Sequence, residues 1–398
     1  MVELSRVAIR TENASACYNI GEPVSFIIEA EDTIRPQSLA TLTWDGYEPI
    51  EARPIRLTCD PVVLHVHTDR PGFVRLRVTV ESSNPPLTLR EAAVAIAPEQ
   101  IAPSMPPPEN FDAFWRSRFA VARVNPLRPE LRDHSEKPEC QVASVRIPIT
   151  HEEAIYGWLL RPRSRGPFPA LALYHGAGVY AVPPEAGADW AARGFMVFSI
   201  NPHPIPNDQS AEYYAKLRDG TLSDYRTRGR ESADSLYFVS MFLRAARAVD
   251  FIAQHPDWDG RHLHVEGHSQ GGAQALAAAV LNEHVTGISV SCPTHCDHSG
   301  PVIGRVPGWP RIVEVSNGKP NRDHVRAAAY IDGVNFASRI QCPALVGVCF
   351  LDELCPPTGI YAAYNALRGP KTIHHEPTTA HVHADAYREA AFRWAARL

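Results

Sequence analysis

A chain of 398 residues, 44% hydrophobic and 21% charged, has room for two domains and the polarity of an ordinary globular protein. A formal net charge of −5, with no dense run of Lys or Arg, argues against a nucleic-acid partner. No stretch approaches about 18 apolar residues, and the residues after Met1 are no charged-then-apolar leader. The expectation is therefore no membrane partner and a cytoplasmic location, or a secreted or periplasmic one if a leader has been removed.

Residues 1–97 read as all-β. Alternating segments at Val7–Arg10, Ser25–Ile28, Ala40–Trp44, Val62–Val66 and Phe73–Val80 are separated by Gly, Pro, Asn and Asp. Spacing of this kind predicts a small Ig-like sandwich as a first domain. Cys17 and Cys59 are a candidate bridge inside it, although the absence of a leader favours free thiols. The proline-rich stretch Pro98–Pro108 marks a boundary, and residues 104–398 form the second domain.

Beyond the boundary, strands and helices alternate. Phe111–Val121 reads as a helix with Phe111, Phe114, Trp115 and Phe119 on one face. Strand candidates follow at Ala170–Tyr174, Phe195–Ile200, His262–Gly267, Gly287–Ser291, Pro343–Phe350 and Lys371–His375. A long helix is predicted over Ser232–Gln254, and shorter ones over Gly272–Leu281, Ile360–Leu367 and Tyr387–Leu398. Alternation predicts an α/β fold with a mainly parallel sheet, whose active groups gather at the carboxyl ends of the strands.

Gly267-His268-Ser269-Gln270-Gly271 is the most informative stretch. It follows an apolar strand and opens a helix of small residues, the setting of a nucleophile elbow in an α/β-hydrolase. A serine hydroxyl needs a base, and the base needs an orienting acid. In this fold the acid and then the histidine come later in the chain, each just after a strand. Asp352 lies two residues past the strand ending at Phe350, with Glu353 as the nearest substitute. For the base, His381 precedes the terminal helix, and His383 is the alternative. His374, His375, His262 and His264 read as sheet residues, and His268 as packing beside the serine. An oxyanion needs two N–H donors. Gln270 supplies one, and the Tyr174-His175-Gly176-Ala177-Gly178 turn supplies the other through Ala177, or through Gly176.

Four patches in this order resemble the acetyl xylan esterase and cephalosporin C deacetylase family of carbohydrate esterases. They are Pro108–Trp115, Tyr174–Gly178, Gly267–Gly272 with its Gln-Gly-Gly ending, and Leu351–Pro357 followed by Tyr361–Asn365. The resemblance covers residues 104–398. It implies a Ser269–Asp352–His381 triad, an oxyanion hole at Ala177 and Gln270, and removal of acetyl groups from sugar hydroxyls without a metal or other cofactor. It also implies a small-molecule or oligosaccharide ester as substrate, and a homo-oligomer. Tyr180 and Trp190 are candidate substrate-binding walls, from their nearness in sequence to the oxyanion turn.

Two features depart from the family. Asn201-Pro-His-Pro-Ile-Pro-Asn-Asp208 stands where an Arg-Gly-Gln-type segment is usual, and smaller members lack the β-domain. That domain is open to several roles: restricting the cleft, binding saccharide, building a subunit contact or covering an exposed patch. Three rival readings stay open. One is another hydrolase of this fold, a peptidase or an esterase for larger acyl groups. Another is a saccharide-binding protein with an inactive hydrolase domain. The last is a metal hydrolase using Cys292, His295, Cys296 and His298, whose spacing matches no recurring zinc pattern.

Overall fold

The computed structural model describes residues 7–34, 37–80, 85–136, 140–149 and 153–397. A nine-stranded sheet organises the larger part. Its order is Lys371–Glu376, Ala344–Cys349, Gly287–Ser291, Trp258–His268, Phe168–Tyr174, Met196–Ile200, Ala154–Pro162, Cys140–Pro148 and Glu130–Glu136. The first six strands are parallel, in the arrangement of an α/β-hydrolase, and all six were legible as apolar runs. The last three run antiparallel along one edge and were not foreseen. Glu130–Glu136 carries charge at most positions, and such edge strands give only a weak alternation signal.

Helices cover both faces. The helix Phe111–Arg123 buries Phe111, Phe114, Trp115 and Phe119, and Trp115 Nε1 donates to the Tyr330 carbonyl at 2.8 Å. The long helix begins at Tyr237, five residues later than periodicity predicts, because turns fill the preceding segment. A short helix at Ala211–Asp219, capped by the Ser210 hydroxyl, was not foreseen. Its face is mostly polar, so no apolar stripe announces it.

Residues 7–96 form two sheets. One has three strands (Val7–Thr11, Val24–Ala30, Val62–Val66); the other has five (Cys17–Tyr18, Leu87–Ile96, Gly72–Val80, Ser38–Trp44, Glu48–Ile55). The strict alternation of burial along Ser38–Trp44 shows one face turned to an apolar interior. Cys17 and Cys59 do not bridge. Cys17 Sγ instead lies 3.7 Å from His375 Nδ1, while Cys59 is exposed and its thiol faces the Glu31 carbonyl. No helix among the described residues is long and apolar enough to cross a membrane.

Two buried carboxylates have opposite consequences. Asp250, near the end of the long helix, bonds Arg247 at 2.6 Å, Arg123 at 2.7 Å and Asn282 Nδ2 at 2.7 Å. Arg247 and Asp250 side chains are each only 5% exposed, so removing one strands the other. Asp250→Ala is expected to cost about 3–5 kcal/mol in urea unfolding.

Glu266, on the strand Trp258–His268, is buried, with a 3.3 Å bond from Ser289 Oγ and the Trp190 side chain as a second donor. Burial pushes its carboxyl up from 4.5 to about 7. The folded protein thus keeps a proton that the unfolded chain releases, and stability falls as pH rises from 4.5 to about 7. Glu266→Gln removes that titration. Its melting temperature relative to wild type is expected to rise between pH 5 and pH 8 by scanning calorimetry.

Candidate active site

Ser269 stands at the turn between the strand Trp258–His268 and the helix Gln270–Leu281, with φ 57° and ψ −122°. Few side-chain-bearing residues adopt this backbone. Glycines on either side make it attainable. A β-carbon on Gly267 would lie 2.2 Å from the Gly271 carbonyl carbon, and one on Gly271 would lie 2.2 Å from the Tyr174 oxygen. On Gly272 it would meet Pro293 at 2.9 Å. The G-x-S-x-G-G pattern is thus a record of backbone meeting backbone.

His381 reaches the serine from the loop after Lys371–Glu376. Its Nε2 lies 2.9 Å from Ser269 Oγ, and its Nδ1 lies 2.7 Å from Asp352 Oδ2. Asp352 is held from its other side, where Oδ1 accepts from the Leu354 and Cys355 amides at 2.8 Å each. With Nδ1–H donated to the carboxylate, Nε2 is left to accept the serine hydroxyl proton. The acid and histidine loops are also tied together, Leu351 N donating to the Thr379 carbonyl and Phe350 N to that of Glu376.

The alternative residues go elsewhere. Glu353 points outward to Arg75, at 2.7 Å, and to Arg77. His383 stacks on His268 with ring centroids 5.1 Å apart, and His268 in turn contacts His381 at 4.9 Å. Burial holds the His268 ring down at about 3 and the His383 ring at about 4, so both are neutral packing rings. Trp190 is not beside the serine. It is 4% exposed, packed edge-on between Phe195 and Phe392 in the core beneath the terminal helix. With His175, Gly176, Glu266 and His268 it lines a cavity beside the elbow that does not include Ser269.

The four residues of the 292–298 loop also separate. Cys292 Sγ lies 3.3 Å from Cys349 Sγ, while His295 and His298 share a 3.0 Å bond and Cys296 Sγ turns to the Thr294 carbonyl. Burial keeps both imidazoles far below their ordinary range. They do not converge on one point.

The sandwich region meets the acid loop directly. Besides the Arg75–Glu353 bond, Thr358 Oγ1 donates to Asp45 Oδ1 at 2.9 Å. Phe73 packs edge-on against Phe350, 5.0 Å between centroids, and against Tyr361. Nothing in the sequence signalled this contact, which joins positions hundreds of residues apart.

Comparison with known proteins places this geometry in a family. The model of the family described as acetyl xylan esterase (AXE1) matches residues 99–398. The chain belongs to the acetyl xylan esterase family. It is therefore a carboxylic-ester hydrolase of the carbohydrate esterase kind, with the α/β-hydrolase fold. Acetyl esterase Axe7A of Xylanibacter ruminicola is 29% identical over 311 residues, 76% of this chain and 69% of that protein. Among solved structures, the acetyl xylan esterase from Paenibacillus sp. R4 shares 25% identity, with a TM-score of 0.64 over 75% of this chain and 98% of that one. Acetyl xylan esterase 1 from Thermoanaerobacterium sp. JW/SL YS485, 23% identical, superposes with a TM-score of 0.65 over 75% and 97%.

In this esterase the turn after Tyr174 comes close to the serine: a β-carbon on Gly176 would be 4.0 Å from Ser269 Cβ. The Gln270 amide opens a helix and so lacks an intrahelical acceptor. Carbonyls of the turn are held one after another. Gln274 Nε2 donates to His175 O at 3.2 Å, Tyr180 OH to Gly176 O at 3.0 Å, and the His203 ring meets Gly178 O at 3.1 Å. A peptide plane carries C=O and N–H on opposite sides. Holding the Gly176 oxygen therefore fixes the direction of the Ala177 N–H.

Tyr180 is thus a brace for the turn, a role its sequence position did not reveal. The departing segment completes the bracing. Asn201 Nδ2 donates to the Tyr180 carbonyl, and His203 is held through its other nitrogen, 2.7 Å from Tyr237 OH. Tyr180→Phe removes one bond that aims a donor without touching the donor. It is expected to lower kcat about tenfold with KM within about twofold, less than the loss of a donor itself. Steady-state kinetics on an acetyl ester separates the two constants.

Proposed function

We propose that this esterase removes acetyl groups from carbohydrate esters through an acyl-enzyme on Ser269. The observation that carries this reading is the unbroken chain Asp352–His381–Ser269, with bonds of 2.7 and 2.9 Å, at a serine held in an elbow. Ser269 Oγ attacks the ester carbonyl carbon while His381 Nε2 takes the hydroxyl proton. Asp352 keeps the imidazole in the productive tautomer and balances its positive charge. The tetrahedral oxyanion sits between the Ala177 and Gln270 amides. His381 then returns the proton to the departing alcohol, and water attacks the acyl-serine by the same route, releasing the acid. Chain groups and water supply every step.

The acetyl and carbohydrate parts of the proposal rest on the named relatives, which are acetyl and acetyl xylan esterases. Residues 1–97 and 104–398 are proposed as separate domains, with Tyr180 closing the turn behind the acyl site. Assembly as a homo-oligomer and a cytoplasmic location are proposed alongside, on the family resemblance and on eight unbridged cysteines. Light scattering on the purified protein reads the first, and cell fractionation the second.

The deciding experiment compares acetyl and butyryl p-nitrophenyl esters, and acetylated xylo-oligosaccharides, for wild type and Ser269→Ala. Wild type is expected to prefer acetyl and to release acetate from the oligosaccharide. Ser269→Ala should lose about 10⁴-fold or more in kcat. Undiminished activity in the variant would remove the triad reading. Serine-dependent turnover that favours butyryl would remove the acetyl reading alone.

A further inference from the structure

Two cysteines that the proposed reaction does not use lie directly against its acid and base. Cys292 follows the strand Gly287–Ser291 and Cys349 ends the neighbouring strand Ala344–Cys349; both are buried, their sulfurs 3.3 Å apart. Ligand atoms of Cys292, Asp352 and His381 all lie within 4.8 Å of one another. The Val382 carbonyl, next to the base, faces both thiols at 4.0 and 3.7 Å. Cys292 Sγ, one imidazole nitrogen and one carboxylate oxygen thus gather round a single point, with the Cys349 thiol hydrogen-bonded to Cys292 from behind. Cys292 belonged to a different candidate set in the sequence; its actual partners come from two other loops.

This donor set has a chemistry of its own. Thiolate and imidazole with a carboxylate suit zinc, which takes four ligands tetrahedrally at about 2.0–2.3 Å. Tetrahedral bonds of that length separate ligand atoms by roughly 3.3–3.8 Å. The three ligand atoms already lie within 4.8 Å of one another, and the 2.7 Å nitrogen–oxygen pair must open by less than an ångström. The His381 side chain is 17% exposed, so the imidazole is the member of the set that reaches the active-site surface.

We propose that Cys292, Asp352 and His381, with a water as fourth ligand, form an inhibitory site for a thiophilic divalent cation such as zinc. On binding, the Cys292 thiol releases its proton to solvent and the metal takes the place between Asp352 and His381 Nδ1. The Nδ1 proton is displaced, and the neutral ring then carries its proton on Nε2. A protonated Nε2 cannot accept from Ser269, so ester hydrolysis stops while the fold is kept. Chelation reverses the exchange.

The loss of activity rests on the triad reading, whereas binding itself does not, so both are measured. Zinc chloride is titrated into the purified enzyme in the absence of reductant and phosphate, with acetyl ester turnover as one readout. Cobalt(II) absorption is the other, since thiolate ligation gives a charge-transfer band in the near ultraviolet. The expected result is inhibition by one zinc per chain, reversed by EDTA, together with the cobalt–thiolate band. Cys292→Ala is expected to weaken inhibition by about tenfold or more and to lose the band. Cys59→Ser, at an exposed thiol far from the site, should change neither.

Absence of the thiolate band overturns the site whatever happens to activity. So does inhibition that persists at the same zinc concentration in the Cys292→Ala/Cys349→Ser double variant. A band without inhibition would leave the metal site standing and count against His381 as the base.

Discussion

The helix Gln270–Leu281 can begin where it does only because its first turn touches two strands with no side chain between. Gly267 against Gly271 and Gly271 against Tyr174 are backbone-to-backbone contacts that any β-carbon would break. They force Ser269 into a conformation that costs free energy on its own. The surrounding core supplies it, since nearly every residue of that helix is buried. Once the turn is fixed, the position of Oγ, the direction of the Gln270 amide and the distance to the histidine loop all follow.

The groups around the serine share one design: each is held by a part that takes no part in chemistry. Asp352 gives one oxygen to two backbone amides and keeps the other for His381. Along the turn after Tyr174, side chains hold the carbonyls of His175 and Gly176. Orientation is therefore prepared before substrate arrives, which is where such sites gain most of their rate. His268 and His383 fill the space behind His381, the proposed base, with neutral rings.

What could be read in the sequence was what repeats locally. The six parallel strands are apolar runs, and the elbow glycines state their own reason. Ser269, Asp352 and His381 were each placed by following a strand to its end. His381 was preferred over His383 in the sequence, but two residues on an irregular loop have no period to separate them, and it is the 2.9 Å contact with Ser269 that does so. Asp352 and Glu353 are adjacent acids, and what distinguishes them is Arg75, 278 positions away. Trp190 and Tyr180 were assigned by nearness along the chain, which says nothing about the face of a sheet. Charged edge strands such as Glu130–Glu136 stayed hidden because their pairing is through backbone and their side chains face water.

The bond between Arg75 and Glu353 bears on how the molecule is assembled. The residue next to Asp352 is anchored to a strand of the N-terminal sheet, and Phe350 on the same loop packs against Phe73 of that strand. On a ribosome the strand Gly72–Val80 emerges long before the acid loop exists. Contacts of such wide sequence separation carry a large loop-closure entropy and form late. The strand that anchors the acid loop is therefore already synthesised when the last third of the chain arrives. Ordering of the acid loop, and with it completion of the esterase, becomes one of the final events of folding.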